Sequence, residues 1–137
     1  MKVLVDTSVW SLALRRQASQ SSQNERLIVS QLKDLIRENQ VVMIGPVRQE
    51  LLSGLRDAAS FAKLQSHLAS FPDELLVTED FEEAARCHNQ CRNSGIAGSS
   101  VDMLICAVAL RRILRIFTTD EDFQRYAEML DLKLHEA

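Results

Sequence analysis

The sequence predicts an α/β fold in which a parallel β-sheet is flanked by helices on both faces. Short β-branched or aliphatic runs alternate with longer segments of helical periodicity, and polar or glycine-containing breaks separate them. Strands of a parallel sheet that is covered on both faces are almost continuously apolar, as these runs are. The 137 residues have the usual size of one domain, so we expect residues 1–137 to form a single domain.

The N-terminal half is predicted to contain two strands, each followed by helices. Residues 2–5 form the first strand, and the polar residues after it open a helix. Residues 17–23 are a predicted loop before a second helix. Residues 41–44 form the second strand, and Pro46 begins a short helix that ends near Gly54.

The C-terminal half is predicted to repeat this alternation. Ser99 or Ser100 caps a helix whose apolar residues cover much of its circumference, which implies deep burial. The other predicted elements are helices over 61–68 and 81–92, an edge strand over 75–77, a break at 95–98, a strand over 113–118, a last helix opened by 119–122, and a closing strand over 132–134.

The composition is that of a globular protein, with 46% hydrophobic and 26% charged residues. The apolar runs are too short to cross a bilayer, and the N-terminal one is shorter than a signal-peptide core. Three cysteines without framework spacing are expected to be reduced thiols. The sequence therefore predicts a cytoplasmic protein without a membrane segment.

The formal net charge of −3 lacks the basic signature of many nucleic-acid-binding proteins. This charge counts against RNA binding without excluding it, because bound cations can neutralise carboxylates and arginines can contact phosphate. Four arginines are candidates either for RNA contact or for simple solvation: Arg15, Arg16, Arg48 and Arg56.

Four acids follow predicted apolar elements at one edge of the sheet: Asp6, Glu50, Asp102 and Asp120, with Asp122 as a fifth candidate. In open α/β sheets this edge, beyond the carboxyl ends of the strands, is where ligands bind. Carboxylates held close together repel each other unless protons or a cation neutralise them. Oxygen ligands of this kind suit Mg²⁺ or Mn²⁺, which can promote phosphodiester hydrolysis.

Each acid also has a structural interpretation, and spacing alone leaves both interpretations open. Asp102 stands three residues after Ser99, in the arrangement that caps a helix. The other acids can cap the last helix (Asp120, Asp122), hold a turn (Asp6) or lie exposed on a helix (Glu50).

Four segments resemble the conserved blocks of the PIN-domain family, particularly of its VapC toxins, in order and separation. They are residues 3–10 (VLVDTSVW), 50–54 (ELLSG), 102–109 (DMLICAVA) and 118–123 (TTDEDF). Together they span almost the whole chain. The departures are a missing basic patch and Cys106 at a position where the family often has alanine.

The resemblance implies a PIN-like fold and a metal-dependent endoribonuclease that acts as the toxin of a type II toxin–antitoxin system. It implies that one or two Mg²⁺ or Mn²⁺ ions are coordinated by Asp6, Glu50, Asp102 and Asp120, assisted by Asp122. Hydroxyls of Thr7, Ser8 or Thr118 would support these ligands. The implied partners are an RNA substrate such as tRNA or rRNA, a VapB-like antitoxin and a second copy in a homodimer.

Two alternatives belong to other functional classes. A catalytically inactive PIN-like module would bind RNA or protein, but it would be expected to lack one of the four acids, and none is missing. A phosphoacceptor domain of the receiver type would need a paired acid cluster after the first strand and a lysine after a late strand. The sequence shows neither at the expected places.

Other candidate motifs have stronger structural interpretations. Cys87 and Cys91 lie on one predicted helix without a second zinc-ligand pair, so burial is the expected reason for them. His67 and His135 stand apart from any recognisable nucleophile. Trp10 follows a buried strand and is expected in the core, with base stacking as the alternative.

Overall fold

The computed structural model describes residues 2–14 and 22–136, which form a three-stranded parallel sheet and seven helices. In chain order the elements are β1 (Val3–Val5), α1 (Thr7–Leu14), α2 (Gln23–Arg37), β2 (Val41–Val42), α3 (Gly45–Ser53), α4 (Ala58–Leu68), α5 (Thr78–Asn93), α6 (Ser100–Arg112), β3 (Arg115–Phe117) and α7 (Asp122–Met129).

The sheet has the order β2-β1-β3, so the first strand lies in the centre. Val3 is aligned with Val41 on one side and with Arg115 on the other. All three residues of β1 are buried although successive side chains point to opposite faces, which requires cover on both sides of the sheet. The predicted α/β fold with helices on both faces is confirmed.

Local sequence signals determine where the helices begin. Ser22 and Glu25 form the reciprocal capping box of α2, so this helix begins at the end of the predicted 17–23 loop. Of that loop, residues 17–21 lie outside the described residues. Pro46 occupies the first turn of α3, and Ser99, not Ser100, is the N-cap of α6.

The predicted edge strand over 75–77 is wrong. A single bridge joins Met43 to Asp73, and residues 75–77 lie outside any strand. The carbonyl of Leu75 accepts a hydrogen bond from Arg112, and the N–H of Val77 donates to the Asp80 carboxylate. Because side chains occupy these backbone groups, they are not available for a β-ladder.

The strands predicted over 2–5, 41–44 and 113–118 are present but shorter. The second strand ends at Val42, and the third begins at Arg115 because Ile113 adopts left-handed dihedral angles that terminate α6. The predicted closing strand over 132–134 is a single bridge between Leu134 and Ile116. None of the helices in the described part of the chain is long and apolar enough to cross a membrane.

Asp80 and two arginines join α5 to the far end of α6. The Asp80 side chain is fully buried, and its carboxylate receives hydrogen bonds from Arg111 and Arg112 and from the backbone of Val77. These contacts hold the pKa of Asp80 far below its usual value, with the Arg112 hydrogen bond as the largest cause. Sequence reasoning gave no indication of this cluster.

Candidate active site

Asp6 lies directly after the central strand and is 95% buried, with 5% of its surface exposed. Its backbone N–H donates to Phe117 O at 2.9 Å, which extends the pairing between the first and third strands. Its Oδ2 accepts hydrogen bonds from the hydroxyls of Ser8 and Thr118, both at 2.8 Å. A buried carboxylate is thus held by neutral donors at the carboxyl ends of two neighbouring strands.

Asp102, Asp120 and Asp122 converge at the same edge. One carboxylate oxygen from each lies within 4.8 Å of the others, and all three side chains are partly buried. Asp102 comes from the first turn of α6, and the other two come from the start of α7. Thr118 joins this group to Asp6, because its hydroxyl also accepts the Asp120 N–H at 3.0 Å.

Glu50 lies on α3, the helix that follows the second strand. Its side chain is exposed, and Thr7 Oγ1 donates to its Oε1 at 2.6 Å. Thr7 is the neighbour of Asp6 in the chain, so this hydrogen bond ties Glu50 to the same edge. Glu50 does not belong to the tight group of three carboxylates.

The local electrostatics raise the pKa of Asp102. Burial is the largest cause, and the charges of Asp6 and Asp120 add to it. The helix N-terminus and the hydrogen bond from Tyr126 act in the opposite direction, but they do not outweigh burial and repulsion. The charges of Asp6 and Asp120 therefore add to the effect of burial on Asp102.

No lysine or arginine among the described residues forms an ion pair with Asp6, Glu50, Asp102 or Asp120. Asp122 lies 3.5 Å from Arg125, in a pair that is largely exposed. Within the described residues, Asp6, Glu50, Asp102 and Asp120 thus have no cationic side chain paired with them. Several carboxylate oxygens held by hydroxyls and N–H groups are a donor set that fits a hard divalent ion such as Mg²⁺ or Mn²⁺.

The structural interpretations of these acids are realised only in part. Asp102 donates its backbone N–H to Ser99 Oγ at 3.1 Å, while its side chain accepts from Tyr126. Asp120 Oδ1 accepts the N–H of Asp122 at 2.9 Å, so Asp120 does help to begin α7. These local bonds position the carboxylates but do not neutralise them.

Tyr126 was missed by sequence reasoning as a neighbour of the site. Its ring is buried and its hydroxyl donates to Asp102 Oδ2 at 2.7 Å. Burial is the largest cause that raises the pKa of the phenol, followed by its bond to Asp102. The signal was present, because a tyrosine on the buried face of a helix needs a partner for its hydroxyl.

Arg48, a candidate for RNA contact or for solvation, pairs within the chain. Its guanidinium pairs with Asp73 at 2.9 Å and donates to the carbonyls of Leu68 and Phe71, which fastens α3 to the end of α4. Arg56 is exposed. Arg15 and Arg16 lie outside the described residues.

Trp10, the three cysteines and His135 pack in or against the core, whereas His67 is exposed on α4. Trp10 is 3% exposed and meets the ring of Phe71 edge-on, as its expected core position requires. The three thiols are free and buried, and burial raises the pKa of Cys87 to about 11. His135 packs against the ring of Phe117.

The sequence matches the family described as PIN domain over residues 3–129. Ribonuclease VapC11 of Mycobacterium tuberculosis and a VapC ribonuclease of Mycobacterium bovis are each 30% identical to this chain over 134 residues, which are 96% of both sequences. Two solved structures have a similar fold. FitAcB of Neisseria gonorrhoeae is 22% identical with a TM-score of 0.75, covering 98% of this chain and 96% of its own. VapBC2 of Rickettsia felis, bound to promoter DNA, is 15% identical with a TM-score of 0.76 and 98% coverage of both chains.

Proposed function

The chain belongs to the PIN domain family, and on that premise we propose that it is a metal-dependent endoribonuclease, the toxin of a type II toxin–antitoxin pair. Its relatives that are named ribonucleases match nearly its whole length. The observation that carries the proposal is the group of carboxylates at the carboxyl ends of parallel strands, which no described lysine or arginine neutralises apart from the exposed Arg125 beside Asp122.

Asp6, Glu50, Asp102 and Asp120 would hold Mg²⁺ or Mn²⁺, with Asp122 assisting. When bound, the ion would supply positive charge against the carboxylates and the phosphate, and activate water for hydrolysis. Asp102, Asp120 and Asp122 already approach each other closely enough to share an ion. Asp6, after β1, and Glu50, on α3, are each oriented by a hydroxyl and would complete the ligand set.

The chain's own hydroxyls would keep these carboxylates in place before metal or substrate arrives. Ser8 and Thr118 engage the same oxygen of Asp6, and Thr7 engages one oxygen of Glu50. Each acid thus has one oxygen fixed by a neutral donor, which orients the ligand without cancelling its charge. Preorganised ligands are what a metal site at a reacting phosphate requires.

The substrate we propose is a structured cellular RNA, either tRNA or rRNA, whose cleavage stops translation in the cytoplasm. A VapB-like antitoxin would restrain the enzyme, and an arginine from it could neutralise the free carboxylates. We also propose a homodimer. The candidate faces for it lie on α2, around Leu27 to Ile36, and on α4, around Phe61 to Leu68. Leu27 is about half exposed and Phe61 is 37% exposed, whereas Leu68 is buried.

The proposal is tested by incubating purified, antitoxin-free protein with a total cellular RNA pool, with Mn²⁺ or with EDTA. We expect discrete products that require metal and that disappear in Asp102→Asn. The control is Glu128→Gln on the exposed face of α7, which makes the same charge change away from the cluster. Binding of RNA without cleavage, unaffected by Asp102→Asn, would instead favour the inactive binding module.

A further inference from the structure

Tyr126 is a buried polar group that the proposed reaction has not used. It lies on α7 and is 1% exposed, yet its hydroxyl reaches across to Asp102 at the start of α6. The oxygen–oxygen distance of 2.7 Å is that of a strong bond between a hydroxyl and a carboxylate. A neutral phenol therefore connects the two helices that supply the three converging acids.

The ring that carries this hydroxyl is held on several sides. Phe123 meets it edge-on with centroids 5.2 Å apart. On another side the backbone at Gly98 comes so close that an added Cβ would lie 3.5 Å from the Tyr126 ring and 2.6 Å from Met103 Cε. With little room to rotate, the ring delivers its O–H to one place.

We propose that Tyr126 is a positioning residue that would hold the Asp102 carboxylate in place as a metal ligand, by engaging its Oδ2. This proposal rests on the proposed metal site. It completes a pattern, because Asp6, Glu50 and Asp120 each also have one oxygen bound by a hydroxyl or a backbone N–H. Tyr126 supplies that function for Asp102 from another helix, as Thr118 does for Asp6 and Thr7 for Glu50 from other parts of the chain.

The geometry explains why a tyrosine is suited to this place. Asp102 is crowded by the charges of Asp6 and Asp120, so a free side chain would rotate away from them in the absence of metal. A cationic partner would hold the carboxylate but would also compete with the ion. A phenol holds it without adding positive charge.

The test compares Tyr126→Phe, which removes only the hydroxyl, with Met103→Leu, which disturbs packing beside the same ring but keeps the O–H. Mn²⁺ binding is measured directly by calorimetry and by the loss of the free-Mn²⁺ electron paramagnetic resonance signal, without RNA. We expect the Mn²⁺ dissociation constant to rise about tenfold in Tyr126→Phe. In Met103→Leu it should stay within twofold of the parent, whatever happens to the melting temperature.

Three results would overturn the proposal. Unchanged Mn²⁺ affinity in Tyr126→Phe, with a parent that binds Mn²⁺, would leave the hydroxyl a purely structural role and leave the metal site intact. An equal loss of affinity in both variants would mean that packing, rather than the hydrogen bond, holds the ligand. A parent that binds no Mn²⁺ would remove the metal site itself, and with it the function of Tyr126.

Discussion

The two ends of α6 handle buried negative charge in opposite ways. At its C-terminal end, Arg111 and Arg112 clamp the fully buried Asp80. At its N-terminal end, Asp102 meets two other carboxylates and is held only by neutral donors. One end neutralises its acid within the chain, and the other leaves its acids to a ligand.

This difference supports the proposal that the N-terminal end of α6 is the functional end. A buried carboxylate without a cation costs free energy, so a fold keeps several of them together only where something else depends on them. At the C-terminal end of α6 the charge of Asp80 is compensated by two arginines, so its burial needs no ligand to account for it. Perturbing the two ends should therefore affect different quantities: stability at the Asp80 end and metal binding at the Asp102 end.

The largest expected effect is a loss of stability at the C-terminal end of α6, where Asp80 pairs with Arg111 and Arg112. Asp80→Ala removes the carboxylate shared by Arg111 and Arg112 and the acceptor of the Val77 N–H, so the free energy of unfolding should fall by about 3–5 kcal/mol. Urea denaturation of the metal-free protein measures this loss. The control is Asp34→Ala, which breaks an exposed pair with Arg37 and should cost under about 0.5 kcal/mol. A similarly small loss for Asp80→Ala would show that the cluster is not structural.

At the N-terminal end of α6, around Asp102, we expect a small effect on stability and a large effect on metal-dependent cleavage. Asp102→Asn keeps an oxygen for the Tyr126 hydroxyl and removes one of the repelling charges. Metal-free stability should stay the same or rise by up to about 1 kcal/mol, while metal-dependent cleavage falls by about 100-fold or more. Urea denaturation and RNA cleavage, measured on the same preparation, separate these effects. Marked destabilisation of the metal-free variant would instead assign Asp102 to helix capping.

The fold could be predicted from sequence because its elements follow from local signals. The apolar run ending at Asp6, Pro46 after the second strand and Ser99 before the buried helix each determine an element within a few residues. The strand predicted over 75–77 failed for one local and one nonlocal reason. Asp80, in the first turn of α5, accepts the Val77 N–H, and Arg112 from α6 donates to the Leu75 carbonyl. A hydrophobic pattern carries no information about either contact.

The acids expected at this edge of the sheet could be selected from the sequence, but their arrangement could not. The rule that ligands bind beyond the carboxyl ends of strands selected the acids, and the family blocks supported the same residues. Which acids share a space depends on tertiary packing, which brings Asp120 and Asp122 to Asp102 and ties Glu50 to Thr7. The partner of Asp102, Tyr126, comes from another helix and could not be paired by spacing.

The dependence of stability on pH should have opposite signs at the two ends. The pKa of Asp80 is lowered, so its stabilising contribution is present above about pH 3.8 and is lost as the pH falls below that value. The pKa of Asp102 is raised, so stability is lost as the pH rises from about 3.8 through its folded-state pKa. Each slope is at most about 1.4 kcal/mol per pH unit.

Unfolding free energies of the metal-free protein between pH 3 and 7 test these signs. The difference between wild type and Asp80→Asn should shrink as the pH falls below about 4. The free energy of unfolding of the wild type should fall relative to that of Asp102→Asn as the pH rises above about 4. If both differences changed in the same direction, the contrast between the two ends would be wrong.

The smallest expected effect is a gain of stability at the C-terminal end of α6. Ile113 terminates α6 with φ 54° and ψ 56°, a conformation that costs a β-branched residue about 1–2 kcal/mol, and 69% of its surface is exposed. Ile113→Gly relieves this strain at some cost in backbone entropy, so we expect a net gain of about 0.5–1 kcal/mol in urea denaturation. Asn39→Gly is the matched control, because asparagine already tolerates its φ of 55° and little should be gained there.

Mn²⁺ affinity should stay unchanged in Ile113→Gly, since the substitution lies at the far end of α6 from Asp102. An altered affinity would mean that the two ends of the helix are coupled rather than independent.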